Sequence, residues 1–337
     1  MREDLLYPFK SGKPNKLLSY VRSYARLAVP DDVYRHRLAG VLCAAQKRDD
    51  FDYIMKRVDY YMSCDTPFNV SDKDSYARFN DYIVYTGCIG DYRRRMFHTV
   101  YYFDQHDVTR WFPAHFRWNF CPGDVYFTPD TPTVVKSRLL DARNGNAVLL
   151  KLNKLRHFMF VSDSTSFERK RDMAIFRGKI RNSRLRTTFL NAHINNPRCD
   201  CGVTGSTDDC PQEWIKRKKT IKEHLEYKFI MAIEGNDVAS NLKWVMSSNS
   251  LAVMTRPTCE TWFMEGQLKP GVHYMEVSDD FSDLDKKMDY YIAHPAEAET
   301  IIHNAHEYVR QFRDKERERI ISLLVMDKYF RLSGQNG

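Results

Sequence analysis

The chain has 337 residues, of which 43% are hydrophobic and 28% charged. That is the balance of a globular protein of about two domains, at roughly 150 residues each, and excludes a disordered or fibrous chain. The formal net charge of +8 is compatible with a nucleic acid, an anionic membrane surface or a phosphorylated substrate, and is too small to choose among them. No apolar run approaches the ~20 residues of a membrane span. The charged stretch from Met1 to Lys16 has no secretory h-region, so the expected location is cytoplasmic and the eight cysteines are expected to be reduced thiols.

Residues 16–63 read as helical. Leu17, Leu18, Val21, Tyr24 and Ala25 form one stripe, and Pro30-Asp31-Asp32 ends that helix and caps the next. This N-terminal part is expected to carry no chemistry of its own. Residues 64–80 are a polar loop. Asp81 to Thr86 reads as a strand, Arg93 to Arg95 as a solvated basic face, Thr99 to Phe103 as a short strand or helix end, and Phe116 to Phe120 as a strand. In 121–138 three prolines and Gly123 argue against regular structure for most of the segment, leaving Asp124 just after a strand. Arg156 to Val161 is expected as a strand, followed by a polar connector.

Met173 to Phe176 is a short strand leading into RGKIRNSRLR, the densest basic segment of the chain, with a helix expected from Thr187 to His193. Residues 196–212 read as loop. Cys199, Cys201 and Cys210 cluster there and could give half of a zinc site, although no His or Cys pair completes it at the usual spacing. Lys216 to Lys219 is a second basic run. In 227–254 an apolar strand (Tyr227 to Ile233), a Gly-Asn turn, a helix with Val238, Leu242 and Val245 on one face, and a strand (Ser250 to Met254) form a βαβ unit. Its polar turn lies at the carboxyl end of the first strand, where open α/β sheets bind ligands, and the helix start should suit a phosphate. Val272 to Val277 reads as a strand, Asp279 to Ile292 as a capped helix, and 296–330 as largely helical with RDKERER as a solvated face. The alternation of strands and helices points to two α/β lobes.

The 227–254 stretch, continued through Glu260, Trp262-Phe263 and Leu268 to Tyr274, resembles the donor-binding segment of glycosyltransferase family 90. That family includes the lipopolysaccharide and capsule-associated transferases and the protein O-glucosyltransferases. The likeness covers most of 100–310 and is closest to the bacterial lipopolysaccharide branch. It implies two Rossmann-like lobes facing a cleft (GT-B type) with a helical N-terminal extension. Residues 1–155 would form the acceptor-side lobe and 156–305 the nucleotide-sugar lobe, with 306–337 a C-terminal helix packing back on the first lobe. It also implies an inverting, metal-independent transfer from a nucleotide-sugar, a UDP-sugar by expectation, with no cofactor. The acceptor would be a lipopolysaccharide core or capsule glycan.

On this resemblance Asp124 is the base that takes the acceptor proton. Its rival is Asp130, and Lys136 and Arg138 contact donor or acceptor. Arg177 and Gly178 match the family's aromatic-Arg-Gly motif. Arg181, Arg184 and Arg186 supply further charge for the diphosphate. Gly235 belongs to the turn, and Asn236, Asp237 and Ser240 could bind ribose or diphosphate oxygens or simply cap the helix, which alone would explain Asp237 or Ser240. Asn241 stands where many relatives carry an arginine, so Lys243 or the 181–186 arginines would make up the charge. Glu260 could bind ribose hydroxyls or be a helix-start carboxylate. A phosphorylated, membrane-bound acceptor would suit Lys216 to Lys219, giving peripheral contact with an anionic membrane. Two other readings are a protein O-glucosyl- or xylosyltransferase of the same family, disfavoured by the missing signal peptide, and a nucleic-acid binder using the basic segments, disfavoured because their charges are few and interleaved with acids.

Overall fold

The computed structural model describes residues 11–79, 82–92, 99–141, 144–180, 183–205 and 210–335. Arg93 to Arg95, Arg181 and Asp81, named above, lie outside them. Three helices come first, α1 (Lys16–Leu27), α2 (Asp31–Gln46) and α3 (Phe51–Tyr61), then β1 (Ser75–Phe79), β2 (Tyr82–Cys88) and α4 (Thr99–Thr109). Short strands follow: β3 (Arg117–Cys121), β4 (Thr133–Val135), β5 (Ser137–Leu139) and β6 (Ala147–Leu149), then the one-turn α5 (Lys154–His157). Next come β7 (Arg171–Gly178), α6 (Arg184–His193), β8 (Cys199–Val203), α7 (Ile221–His224), β9 (Tyr227–Met231), α8 (Leu242–Val245), β10 (Leu251–Met254), β11 (Cys259–Thr261) and β12 (Met275–Glu276). The chain closes with α9 (Leu284–Ala293), α10 (Pro295–Arg310) and α11 (Lys315–Leu332). This is an α/β fold with a parallel, a mixed and a two-stranded antiparallel sheet among the described residues, consistent with a two-lobed GT-B-like architecture.

The chain divides into two compact units. One comprises Leu155–Thr258 and Glu265–Gln311 together with the stretch ending at Lys16. Its sheet runs β12-β10-β9-β7-β8, and every pairing in it is parallel. Each residue of β9 and β10 is buried, as a parallel sheet covered on both faces requires. Phe176, Phe189, Phe229, Met231, Leu251 and Val253 belong to one core.

The second unit comprises Leu17–Lys154, Cys259–Met264 and Phe312 onward. Its sheet runs β1-β2-β3-β4-β6. β1, β2 and β3 are antiparallel, and β3, β4 and β6 are parallel. β11 pairs antiparallel with β5, setting Glu260 opposite Arg138.

Several expectations change. The 196–212 segment contains β8: Cys199, Cys201 and Val203 point into the core, a period of two that the turn-forming Asp200 and Gly202 obscure in the sequence. Residues 158–166 form no strand; there the Val161 amide donates to Ser247 Oγ (2.9 Å) instead of to a sheet. The strand expected at 272–277 shrinks to β12, because Gly271 (φ 70°) and the His273 N–H to Lys269 carbonyl bond (2.9 Å) make a turn there. β4 and β5 occupy part of the 121–138 loop. The RDKERER face is not wholly solvated. Glu318 is buried, accepting from Arg57 (2.6 Å), Lys151 (2.7 Å) and the Trp262 indole N–H (2.7 Å).

Candidate functional site

The parallel sheet, read as β8-β7-β9-β10-β12, has its first two sequential strands on one side and then reverses to build outward from β9. Its switch point lies between β7 and β9, and ligands of such sheets sit at the carboxyl ends of the strands there. Those ends are Gly178 to Lys179 and Ala232 to Gly235. One side chain ties them together. Arg186 donates Nε and Nη2 to the Ile233 carbonyl (3.2 and 2.9 Å) and Nη1 to the Lys179 carbonyl (2.8 Å). The helix that carries it, α6, begins at the same place. Ser183 caps it, its Oγ accepting from the Arg186 amide (3.3 Å) and donating to the Glu234 carbonyl (2.8 Å). Arg184 is exposed in that first turn.

Gly235 is needed for this arrangement, since a Cβ there would stand 2.9 Å from Arg186 Nη2. At Gly178 a Cβ would meet the Phe176 ring at 2.8 Å. The structure therefore brings together Gly178, Arg184, Arg186 and Gly235. Glycines, a helix N-terminus and two guanidinium groups at a switch point make a surface suited to an anion such as a diphosphate. Sequence reasoning passed over Ser183 and Glu234. Ser183 stands just before a helix, but the sequence pattern predicts that helix only from Thr187.

The helix expected to start at the EGND turn is shorter than its sequence periodicity suggests. Val238, Leu242 and Val245 are all buried, but helix is confined to α8, and residues 236–241 form bends and turns. The Gly235 amide donates to the Asp237 carbonyl (2.9 Å), closing a tight turn. Asn241 spends its side-chain amide on the Met231 carbonyl at the end of β9 (2.9 Å). Asn236 is exposed, Asp237 buried and Ser240 half-buried. Lys243 is fully buried and paired with Glu265. α8 is a single turn, so the longer helix whose N-terminus meets the loop after β9 is α6.

Arg177 is directed to the neighbouring strand. Its Nη1 donates to the Asp200 carbonyl (2.7 Å), its Nη2 to the Asp200 carboxylate, and its Nε to the Arg217 carbonyl (3.1 Å). Burial alone would push the Asp200 carboxyl up, but hydrogen bonds from Tyr227, Arg177 and Lys219 outweigh it and hold the group far below the usual carboxylate range. Cys199 and Cys201 face the core, and burial pushes their thiols up to about 12 and about 11. Among the described residues no three His, Cys, Asp or Glu side chains are grouped as a metal ion would need.

In the mixed-sheet unit, Asp124 follows the carboxyl end of β3, and Lys136 follows that of its parallel neighbour β4. The two side chains form an ion pair in which Lys136 is 1% exposed and Asp124 25%, so the carboxylate alone keeps access to solvent. The loop is fixed by Gly123 at φ 122°, by Tyr82 Oη donating to the Asp124 carbonyl (2.6 Å) and by Ser137 Oγ, which accepts from the Val125 amide (3.0 Å). Arg138 and Glu260 form a buried pair (2.8 Å) that also takes in Tyr60. Asp130 is exposed, and the carbonyls of Pro129 and Asp130 accept from Asn146 (3.1 and 2.9 Å).

The family model described as Glycosyl transferase family 90 matches residues 149–332, more than half of the chain. The O-glucosyltransferase LpsA of Dichelobacter nodosus is 42% identical over 233 residues, covering 69% of this chain and 72% of its own length. The uncharacterized protein 035R of Invertebrate iridescent virus 3 is 33% identical over 93 residues, or 27% of this chain and 8% of that protein. The parallel sheet, its switch-point arginine and these matches agree: the chain belongs to glycosyl transferase family 90 and is a glycosyltransferase.

Proposed function

We propose that the protein moves a sugar from a UDP-sugar to a hydroxyl of a lipopolysaccharide core or related glycan, with inversion and with arginines in place of a metal ion. The observation that carries the reading is Arg186 spanning the carboxyl ends of β7 and β9 at the first turn of α6. A diphosphate seated there meets Arg184, Arg186 and the positive end of a ten-residue helix. Gly178 and Gly235 let the backbone approach closely, Asn236 and Ser240 would serve the ribose, and Arg177 buttresses the end of β7 through Asp200. The printed name of the Dichelobacter nodosus relative, an O-glucosyltransferase, favours a hexosyl donor and an oxygen acceptor.

The chemistry is a single displacement. The acceptor oxygen forms a bond to the anomeric carbon as the bond to the diphosphate breaks, through an oxocarbenium-like state. The acceptor proton passes to Asp124 and the nucleoside diphosphate leaves with the electron pair. Lys136 positions the Asp124 carboxylate, and the Arg138–Glu260 pair fixes β5 to β11. One carboxylate suffices because the leaving group is already activated.

A thermal-shift and transfer screen over nucleotide sugars tests this. A true donor at 100 times its Kd should stabilise the fold by about 2.7 kcal/mol. Arg186→Ala should lose that stabilisation. Asp124→Asn should retain it while kcat falls by about 10²- to 10⁴-fold. No shift and no transfer with any nucleotide sugar would refute the assignment.

A further inference from the structure

The stripe that the sequence places on α1 faces solvent. Leu17 is 72% exposed, Val21 56% and Leu18 48%, and Val29 at 38%, in the turn that follows, and Val33 at 45%, in the first turn of α2, are exposed as well. The half-buried side of α1 is instead Ser19, Tyr20, Ser23 and Leu27. Contacts with α4 fix this orientation. Tyr24 packs edge-on against Phe103 (5.1 Å) and Arg26 pairs with Asp107 (2.9 Å). Arg110 Nη1 donates to the Arg26 carbonyl (3.0 Å), while the same guanidinium lies over the Tyr34 ring at 4.0 Å. The amphipathic helix is thus held with Ser19, Tyr20, Ser23 and Leu27 inward and its apolar stripe outward, the reverse of a helix that serves a core.

The charge around the stripe is one-sided. Residues 11–46 carry six Lys and Arg, of which Arg26 and Arg35 are paired, with Asp107 (2.9 Å) and Asp32 (2.7 Å), against two acids, Asp31 and Asp32. α1 itself has none, and its Lys16 and Arg22, with Arg37 of α2, are exposed. A short helix with an apolar face, a basic flank and an aromatic edge suits the plane of a bilayer surface, with its apolar side among the acyl chains and its cations among anionic headgroups. None of the described helices is long and apolar enough to cross a membrane. A second copy of the chain is a poorer occupant, because an isologous contact over this face would set the two basic flanks against each other. The Lys216–Lys219 run is also less suited, since Arg217 pairs with Glu223 (2.7 Å) and Lys219 with Asp200 (3.1 Å).

We propose that the outward face of α1, extended by Val29 and Val33, docks the protein on an anionic lipid surface. The docking is independent of the donor reading, because it involves no residue of the switch-point site and is measured without donor or acceptor.

The experiment is sedimentation of the full chain with vesicles of phosphatidylcholine alone, or of phosphatidylcholine with one-quarter phosphatidylglycerol. The wild type should bind the anionic vesicles at least tenfold more tightly than the neutral ones. Leu17→Glu/Val21→Glu should lose at least tenfold of that binding. Arg22→Ser/Arg37→Ser should lose several-fold and flatten the salt dependence. Melting temperatures should be unchanged, since all four side chains are exposed. Equal binding by the wild type and the Leu17→Glu/Val21→Glu variant overturns the proposal. So does a dimer in solution that this variant converts to monomer without any vesicle binding.

Discussion

At the scale of single residues, Gly235 and Arg186 act as one device. A methyl at 235 would stand 2.9 Å from a guanidinium nitrogen, and the flexible arginine would yield rather than the backbone. Gly235→Ala should therefore leave the melting temperature within a few degrees of wild type while raising the donor KM at least several-fold, as steady-state kinetics would show. Asp104 offers a different test. Burial pushes its carboxyl up to about 6, although the Lys154 ammonium lies 3.8 Å away. In the unfolded chain it titrates near 3.8, so between about pH 4 and 6 the folded state holds the extra proton and stability falls as pH rises. Above pH 6 the charged form costs about 3 kcal/mol. Asn can still accept from the Lys154 amide (2.8 Å). Asp104→Asn should accordingly match the wild type near pH 4 and exceed it increasingly up to pH 6 in urea melts. His224, held down at about 4 by burial, contributes the opposite slope, with stability lost as pH falls from about 6.5, and so cancels in this comparison.

At the scale of elements, α11 is fixed by polar contacts as much as by apolar ones. Glu318 receives Arg57, Lys151 and the Trp262 indole, while Trp262 stacks on Tyr61 at 3.8 Å. Removing one partner of such a buried set strands the remaining charges. Glu318→Ala should cost about 3–5 kcal/mol in a denaturant titration. A smaller loss, within 1 kcal/mol, would mean that water reaches Arg57. The helices and strands with strong periodicity were legible beforehand: α1 to α3, α10, β9 and β10 fall where their apolar spacing puts them. α8 and β8 were not. Asn241 is tied back to the end of β9 through the Met231 carbonyl and α8 is a single turn, while Asp200 and Gly202 give β8 the composition of a loop.

At the scale of the whole molecule, the mixed-sheet unit is built from three separated stretches of chain. A chain ending at Gln311 would lose α11 and leave Arg57 without Glu318. Its chemical denaturation should lose one cooperative transition, whereas a full-length Arg186→Ala variant should keep the wild-type profile. What the sequence by itself determined was the α/β class, the basic segment after β7, the turn after β9 and the family, because periodicity, turn residues and short motifs are local properties of the chain. Tertiary structure alone decided which helix start lies beside that turn, that Glu318 and Lys243 are buried with partners, and that the α1 stripe faces outward. Each of these depends on residues tens to hundreds of positions apart meeting in space, and local sequence carries no record of which side of a helix its neighbours will cover.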